Sequence, residues 1–485
     1  MLPLALGYLR SNTDDEICEM KLLDCAFNYI RANSIEFENE FVQFDPDIVG
    51  VSTWSPMYNE ALQYLKHTKY LKDNVTTIMG GCHPTGYWEQ VMQNIEVDFI
   101  IRGEAEVSFN GFMRKIWLGQ ESFDDIQGIV YRDEEGNVCG GNSVASVPEL
   151  DQIEIPDYDA INLDEYIDRG YLYLTKEKHN APIWVTRGCP YRCEFCAAPM
   201  LSGRIIRRHS KEYVMNWINY LADEKGIKHI NIIDDNFTFH VRYAKDVCTA
   251  IIDSRANNRP VPLSFGTPNG VRMQRGDGEI WKLMKEAGWD SIVVAPESGS
   301  QHTLDLMKKD LDLSIIPDIV REMRDAKLQV IGFFIIGYPG ERYEDLQKTR
   351  EFILSCHFDF LVFHVFQAIP GTPIFDKLVA QGGIDSSYLP KEYNVSAIEE
   401  IKKNIESEGT EIGQGAYRSN ELKNISFRRF IIVTYLLFIT KYPSSAWILL
   451  KKYGLSFITI RLARLLGLKI QESASIEERR LKREA

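Results

Sequence analysis

Three cysteines crowd into eight residues, Cys189-Pro190-Tyr191-Arg192-Cys193-Glu194-Phe195-Cys196, with three and then two residues between thiols. The other six, at positions 18, 25, 82, 139, 248 and 356, are scattered, and the total of nine is odd. The chain opens without a charged segment followed by a long apolar one, so a secreted disulfide framework is not expected and a reducing cytoplasm is the expected setting. Crowded thiols in that setting mean metal or redox chemistry. Three thiolates on one loop can hold three irons of a 4Fe–4S cluster and leave the fourth iron open to a small molecule. A closed zinc site wants a fourth Cys or His, and none lies at ordinary spacing on either side. A zinc or scaffold protein is therefore the non-enzymatic alternative.

The loop sits inside a regular alternation. Strand patterns at 183–186, 228–233, 262–266, 291–295, 328–336 and 359–366 are separated by helical patterns at 210–223, 242–255, 277–287, 313–326 and 343–356. Six strand–helix units predict a partial parallel (β/α)6 barrel over 181–385, with its chemistry on the loops after the strands. Ahead of it, strand patterns at 47–52, 75–79 and 98–101 each stop at small residues, and residues 58–72 have helical spacing. This predicts an α/β, doubly wound, Rossmann-like domain over 1–140, binding its ligand at the carboxyl ends of the strands. Residues 141–180, with Pro148 and Pro156, read as a linker, and 386–485 as a helical C-terminal region.

The cysteine spacing, with Phe195 before the third thiol, resembles the signature of the radical S-adenosylmethionine (SAM) superfamily. Later segments agree with it in order: Asp234-Asp235-Asn236-Phe237 after the second barrel strand, Pro296-Glu297-Ser298-Gly299-Ser300 after the fourth, Lys309 beyond it, Gly337-Tyr338-Pro339-Gly340-Glu341 after the fifth and Pro370-Gly371-Thr372-Pro373 after the sixth. The resemblance implies a 4Fe–4S cluster on Cys189, Cys193 and Cys196, with SAM on its open iron and cleaved to a 5'-deoxyadenosyl radical. It implies Phe195 beside the adenine, Asp235 and Asn236 at the SAM amino group, Glu297 and Ser298 at the ribose and Lys309 at the carboxylate.

The amino-terminal segments Leu2-Pro3-Leu4-Ala5-Leu6-Gly7, Pro46-Asp47-Ile48-Val49-Gly50-Val51-Ser52, Gly80-Gly81-Cys82-His83-Pro84 and Gly103-Glu104-Ala105-Glu106 resemble the cobalamin-binding domain of class B radical SAM proteins. By that resemblance Ser52 and Thr53 line the nucleotide tail, and Gly80, Gly81, Gly103 and Glu104 lie near cobalamin. The family's strand ahead of the first segment is either absent or lost upstream of this sequence, and its Asp-x-His-x-x-Gly lower-ligand motif is absent, so His83 is read as a loop residue rather than a cobalt ligand. The implied activity is cobalamin-dependent methylation of an unactivated carbon. The alternative is a cyclisation or rearrangement like that of the anaerobic porphyrin cyclases. A low-potential donor such as flavodoxin or ferredoxin is expected to supply electrons.

Charge bounds the partners. The whole chain carries −14, which argues against nucleic acid. Residues 421–470 nevertheless hold nine Lys or Arg and one acid, and residues 471–485 balance, leaving −22 on residues 1–420. Within 426–468, Phe427, Phe430, Tyr435 and Trp447 alternate with Arg428, Arg429, Lys441, Lys451, Lys452, Arg461 and Arg464. Such a segment either caps the barrel or contacts a membrane interface peripherally, where a hydrophobic substrate could enter. No run approaches the roughly 18 apolar residues a spanning helix needs.

Overall fold

A computed structural model describes residues 2–171, 175–387, 421–445 and 447. Its first sheet runs in the order β1 (Ile48–Ser52), β2 (Thr76–Gly80), β3 (Phe99–Ile101), β4 (Ile129–Arg132) and β5 (Val138–Gly140). The first three strands are parallel and the last two add an antiparallel hairpin. Side chains alternate across the sheet. Met79, Ile100 and Val130 meet Tyr58, Leu62 and Leu65 of helix Tyr58–Leu71 on one face. Ile78, Ile101 and Ile129 meet Phe112 of helix Glu106–Trp117 and Phe123 on the other. Both faces are thus covered by helices, as a doubly wound domain requires.

The second body is built on parallel strands β6 (Asn180–Ile183), β9 (His229–Ile232) and β10 (Ser264–Gly266), followed by β11 (Ser291–Glu297), β12 (Gln329–Ile336) and β13 (Phe360–Val365). These form two three-stranded arcs, joined through single parallel bridges at Phe265–Trp289 and Val271–Val294. Between β6 and β9 lies a two-stranded hairpin, β7 (Thr186–Arg187) with β8 (Arg207–Arg208). The barrel helices Lys211–Asp223, Val241–Ala256, Gly278–Ala287, Ile316–Asp325 and Tyr343–Ser355 fall within a few residues of the expected spans. Capping explains two of these starts: Ser210 accepts the Tyr213 N–H and Asp277 accepts the Ile280 N–H. The first strand differs from expectation, lying at 180–183 rather than 183–186, because the N–H groups of Val185 and Thr186 are taken by the Asp234 carboxylate.

The stretch that reads as a linker is packed. Val147, Leu150, Ile153, Tyr158, Ile161, Leu163, Tyr166 and Ile167 all join the barrel's core, and the Tyr158 hydroxyl donates to the Pro182 carbonyl at 2.6 Å. Leu2, Leu4 and Tyr8 join the same core, so helix Leu4–Ser11 serves the barrel as well as the first domain. Helix Phe427–Lys441 caps the far arc with Phe427, Phe430, Ile431, Thr434 and Phe438. Arg350 Nε donates to Thr434 Oγ1 at 3.1 Å, and the Tyr435 hydroxyl donates to the Leu361 carbonyl. The remainder of the basic segment, 446 and 448–468, lies outside the described residues. No described helix is long and apolar enough to cross a membrane.

Because Phe427 is 1% exposed and Leu436 55%, Phe427→Ala should cost about 3–5 kcal/mol and Leu436→Ala less than about 0.5. Urea unfolding of the two variants checks this, and equal effects would show that the helix is not docked through its buried face.

Candidate active site

The cysteine loop leaves β7 and is held at both ends. The Cys189 N–H donates to the Gly203 carbonyl at 3.1 Å, the Glu194 N–H to Met307 at 3.0 Å and the Ile374 N–H to Glu194 at 3.1 Å, while Lys308 pairs with the Glu194 carboxylate at 2.6 Å. All three thiols are half-buried. Burial pushes the Cys189 thiol up and the Cys196 thiol to about 12. Backbone N–H groups of Tyr191 and Ala198 act in the opposite sense, donating to the Cys189 and Cys196 sulfurs, and the Arg272 guanidinium favours the Cys189 thiolate. Such donors suit sulfurs that will carry negative charge toward iron. Among the described residues, no three His, Cys, Asp or Glu side chains are arranged to hold a single metal ion.

The Asp-Asp-Asn segment after β9 divides its labour. Asp234 is structural: its carboxylate accepts from Val185 N at 2.7 Å, Thr186 N at 2.9 Å and Thr186 Oγ1 at 2.8 Å. Asp235 Oδ2 and Asn236 Oδ1 are buried without a hydrogen-bond partner. Burial and the neighbouring Glu104 charge push the Asp235 carboxyl up to about 6. Burial raises the thiols of Cys82, Cys189 and Cys196, and the Asp235 charge adds to the shift of each, so all three lie within reach of its field. Two orphaned acceptors beside three thiols fit a ligand that brings an ammonium group to a metal cluster.

Glu297 and Lys309, picked separately from the sequence, are partners here: Lys309 Nζ donates to Glu297 Oε1 at 2.7 Å, both side chains being buried. The same ammonium lies 5.7 Å from the centroid of the Phe195 ring. Ser298 is placed differently. Its hydroxyl pairs with Thr349 at 3.0 Å and accepts the Ser300 N–H at 3.1 Å, which commits it to the helix behind the strand.

At the first domain's strand ends, Ser52 and Trp54 are exposed and Thr53 is buried, its N–H donating to the Gly80 carbonyl at 2.9 Å. Gly81 has φ +99° and Gly103 φ +90°; a Cβ on either would come within 2.4 Å of the Thr53 carbonyl oxygen or 2.3 Å of that of Ala145. These two glycines therefore answer first to the chain's own backbone. The exposed Ser52 and Trp54 leave the end of β1 open to a large group. His83 is not presented to it: the imidazole is 1% exposed, bonds Ser55 at 3.1 Å, packs 4.2 Å from Tyr58 and is pushed down to about 4 by burial.

The Glu104 side chain is already engaged by partners within the protein. Its carboxylate accepts from Arg207 at 2.5 and 2.7 Å and from the Val147 N–H at 2.8 Å. Glu106 pairs with Arg187 at 2.8 Å. Sequence reasoning missed this four-residue cluster, since nothing in the spacing of Arg187 and Arg207 names partners in another domain. It also missed Arg272 and Cys82; only the adjacency of Cys82 to Gly80-Gly81 hinted at the latter.

Glu341, on the loop after β12, is fully buried, accepts the Gly337 N–H at 2.6 Å and is pushed up by burial to about 8. A carboxyl that keeps its proton when folded loses stability as pH rises from its unfolded value through about 8. Urea midpoints measured across that window should fall with rising pH in the parent, and Glu341→Gln should flatten the decline. An identical slope in the variant would contradict the burial argument.

A family model described as the radical SAM superfamily matches residues 183–353, and one described as the B12 binding domain matches residues 1–112. The chain is 28% identical over 423 residues to an uncharacterized methyltransferase of Pyrococcus horikoshii, covering 87% of this chain and 88% of that one. It is 28% identical over 431 residues to the cytidylyl-2-hydroxyethylphosphonate methyltransferase of Streptomyces wedmorensis, covering 79% of each. Its fold is similar to that of the radical SAM methyltransferase TsrM of Kitasatospora setae, solved with cobalamin and a 4Fe–4S cluster. The TM-score is 0.66 at 20% identity, over 79% of this chain and 76% of that one.

Proposed function

Because the chain belongs to the radical SAM superfamily and carries a B12 binding domain, we propose that it is a cobalamin-dependent methyltransferase acting on an unactivated carbon of a small-molecule substrate. One juxtaposition carries the reading: helix Cys82–Val91, which follows β2 of the first domain, packs against helix Ala198–Ser202, which follows Cys196 of the barrel, with Gly86 lying against Met200. The thiol loop and the B12-type edge therefore open on the same space. When bound there, the 4Fe–4S cluster supplies the electron that cleaves SAM and cobalamin carries the methyl group.

The chain's own residues do the holding. Cys189, Cys193 and Cys196 would hold three irons, each sulfur binding as the thiolate after its proton is released to solvent. Asp235 and Asn236 accept hydrogen bonds from the SAM ammonium with the oxygens they leave free. Lys309 donates to the SAM carboxylate, Glu297 accepts from the ribose and Phe195 lies along the adenine. Ser52, Thr53, Gly80, Gly81 and Gly103 form the edge against which cobalamin rests. A low-potential flavodoxin- or ferredoxin-type donor reduces the cluster.

Reconstituted anaerobically, the protein should bind about four irons and release 5'-deoxyadenosine and methionine from SAM on reduction. The triple variant Cys189→Ala, Cys193→Ala, Cys196→Ala should do neither, and SAM cleavage surviving in it would overturn the reading. Glu297→Ala should weaken SAM binding about ten- to hundredfold with iron content intact, the cost of losing a hydrogen bond to a charged group. A product heavier by one methylene distinguishes methylation from the cyclisation alternative.

The cobalamin arm has its own check. Hydroxocobalamin should stay with the protein through gel filtration, and His83→Ala should leave its absorption spectrum unchanged because that imidazole faces Ser55 and Tyr58. Loss of a cobalt-ligand band in the variant would make His83 a ligand after all.

A further inference from the structure

The Glu104, Glu106, Arg187 and Arg207 cluster takes four charges out of water at the junction of the two domains. Arg187 is 1% exposed, its guanidinium lying 4.8 Å from the ring centroids of both Tyr8 and Trp184, 2.8 Å from Glu106 and 3.8 Å from Glu104. Arg207 grips Glu104 with both terminal nitrogens and also donates to the carbonyls of Val147 and Ser202, at 2.6 and 2.7 Å. The two arginines are register partners in the β7–β8 hairpin. Arg187 stands two residues before Cys189, and Ser202 ends the helix that follows Cys196, so the cluster touches the thiol loop on both sides. The two acids lie at the carboxyl end of β3, on the edge proposed for cobalamin.

Burying two ion pairs gains little over apolar packing of the same volume. What the Arg207 fork on Glu104 adds is direction, since its two parallel N–H bonds fix an angle as well as a distance, while Arg187 adds charge contacts to Glu106 and Glu104 behind it. Domains joined by apolar contact alone could slide, and small misplacement between reacting groups is costly.

We infer that Arg187 and Arg207 are positioning residues which, through Glu104 and Glu106, hold the thiol loop at a fixed distance and angle from the strand ends of the B12 domain. The inference rests on the proposed function, in which the groups at those two places must work in register. Neither arginine touches SAM or substrate in this account; both act through the loop they anchor.

The test uses the full-length protein, reconstituted with iron and sulfide and loaded with hydroxocobalamin, as wild type, Glu106→Gln and Arg207→Lys. Iron content and substrate-free SAM cleavage should stay at the wild-type level in both variants. The cob(II)alamin electron paramagnetic resonance signal should saturate at a different microwave power once the cluster is reduced, because that relaxation depends on the distance between the two centres, and each variant should shift it. In the unloaded protein, proteolysis within 141–180 should run about tenfold faster in the variants as the junction opens. Unchanged relaxation and unchanged proteolysis would overturn the inference. So would loss of iron together with cobalamin retention, which marks a fold-wide role. Should the wild type bind no cobalamin, the functional reading falls, and the proteolysis arm alone decides whether the junction is clamped.

Discussion

A single buried carboxylate sets the geometry on which the site is built. Asp234 draws in the N–H groups of Val185 and Thr186 and the Thr186 hydroxyl, so β6 stops at Ile183 and the chain turns out into the β7–β8 hairpin. The thiol loop grows from that hairpin. The next residues, Asp235 and Asn236, are thereby placed beside the loop with oxygens to spare. Burial pushes the Asp234 carboxyl up to about 7, against the pull of its three donors, because the group is enclosed between β6 and β9.

From that junction the charges are arranged in two groups with different duties. Glu297 and Lys309 neutralise each other within the barrel mouth, at the distance of a strong hydrogen bond. Glu104, Glu106, Arg187 and Arg207 neutralise each other across the domain junction. Asp235 is pushed up by burial and by the Glu104 charge, so its protonation depends on how the domains are joined.

The parts of this arrangement that are local in the chain were legible in the sequence. Three thiols in eight residues, an acid–acid–amide run and glycine-ended strands each carry their meaning within a few positions. The partners of Ser298 and Glu104 were not legible because they are remote: Thr349 is 51 residues from Ser298, and Arg207 is 103 from Glu104. Both were assigned by family position, yet each side chain is consumed by a partner that no local pattern announces. The segment 141–180 misled for another reason. Its prolines and acids suggest exposure, while apolar residues spaced irregularly between them, from Val147 to Ile161, find the barrel core, and the one helical run, Leu163, Tyr166 and Ile167 on helix Leu163–Asp168, is too short to reveal a period.

The barrel's two arcs have unequal joints. Inside each arc, neighbouring strands share three to six residue pairs of parallel ladder, whereas β10 and β11 meet through isolated bridges at Phe265–Trp289 and Val271–Val294. The thiol loop and Asp235 belong to the first arc; Glu297 and Lys309 follow the first strand of the second. A molecule lying across the mouth would span that seam, so it would act as the missing lacing between two half-shells. The enzyme's gape would then be set by its occupant rather than by its backbone.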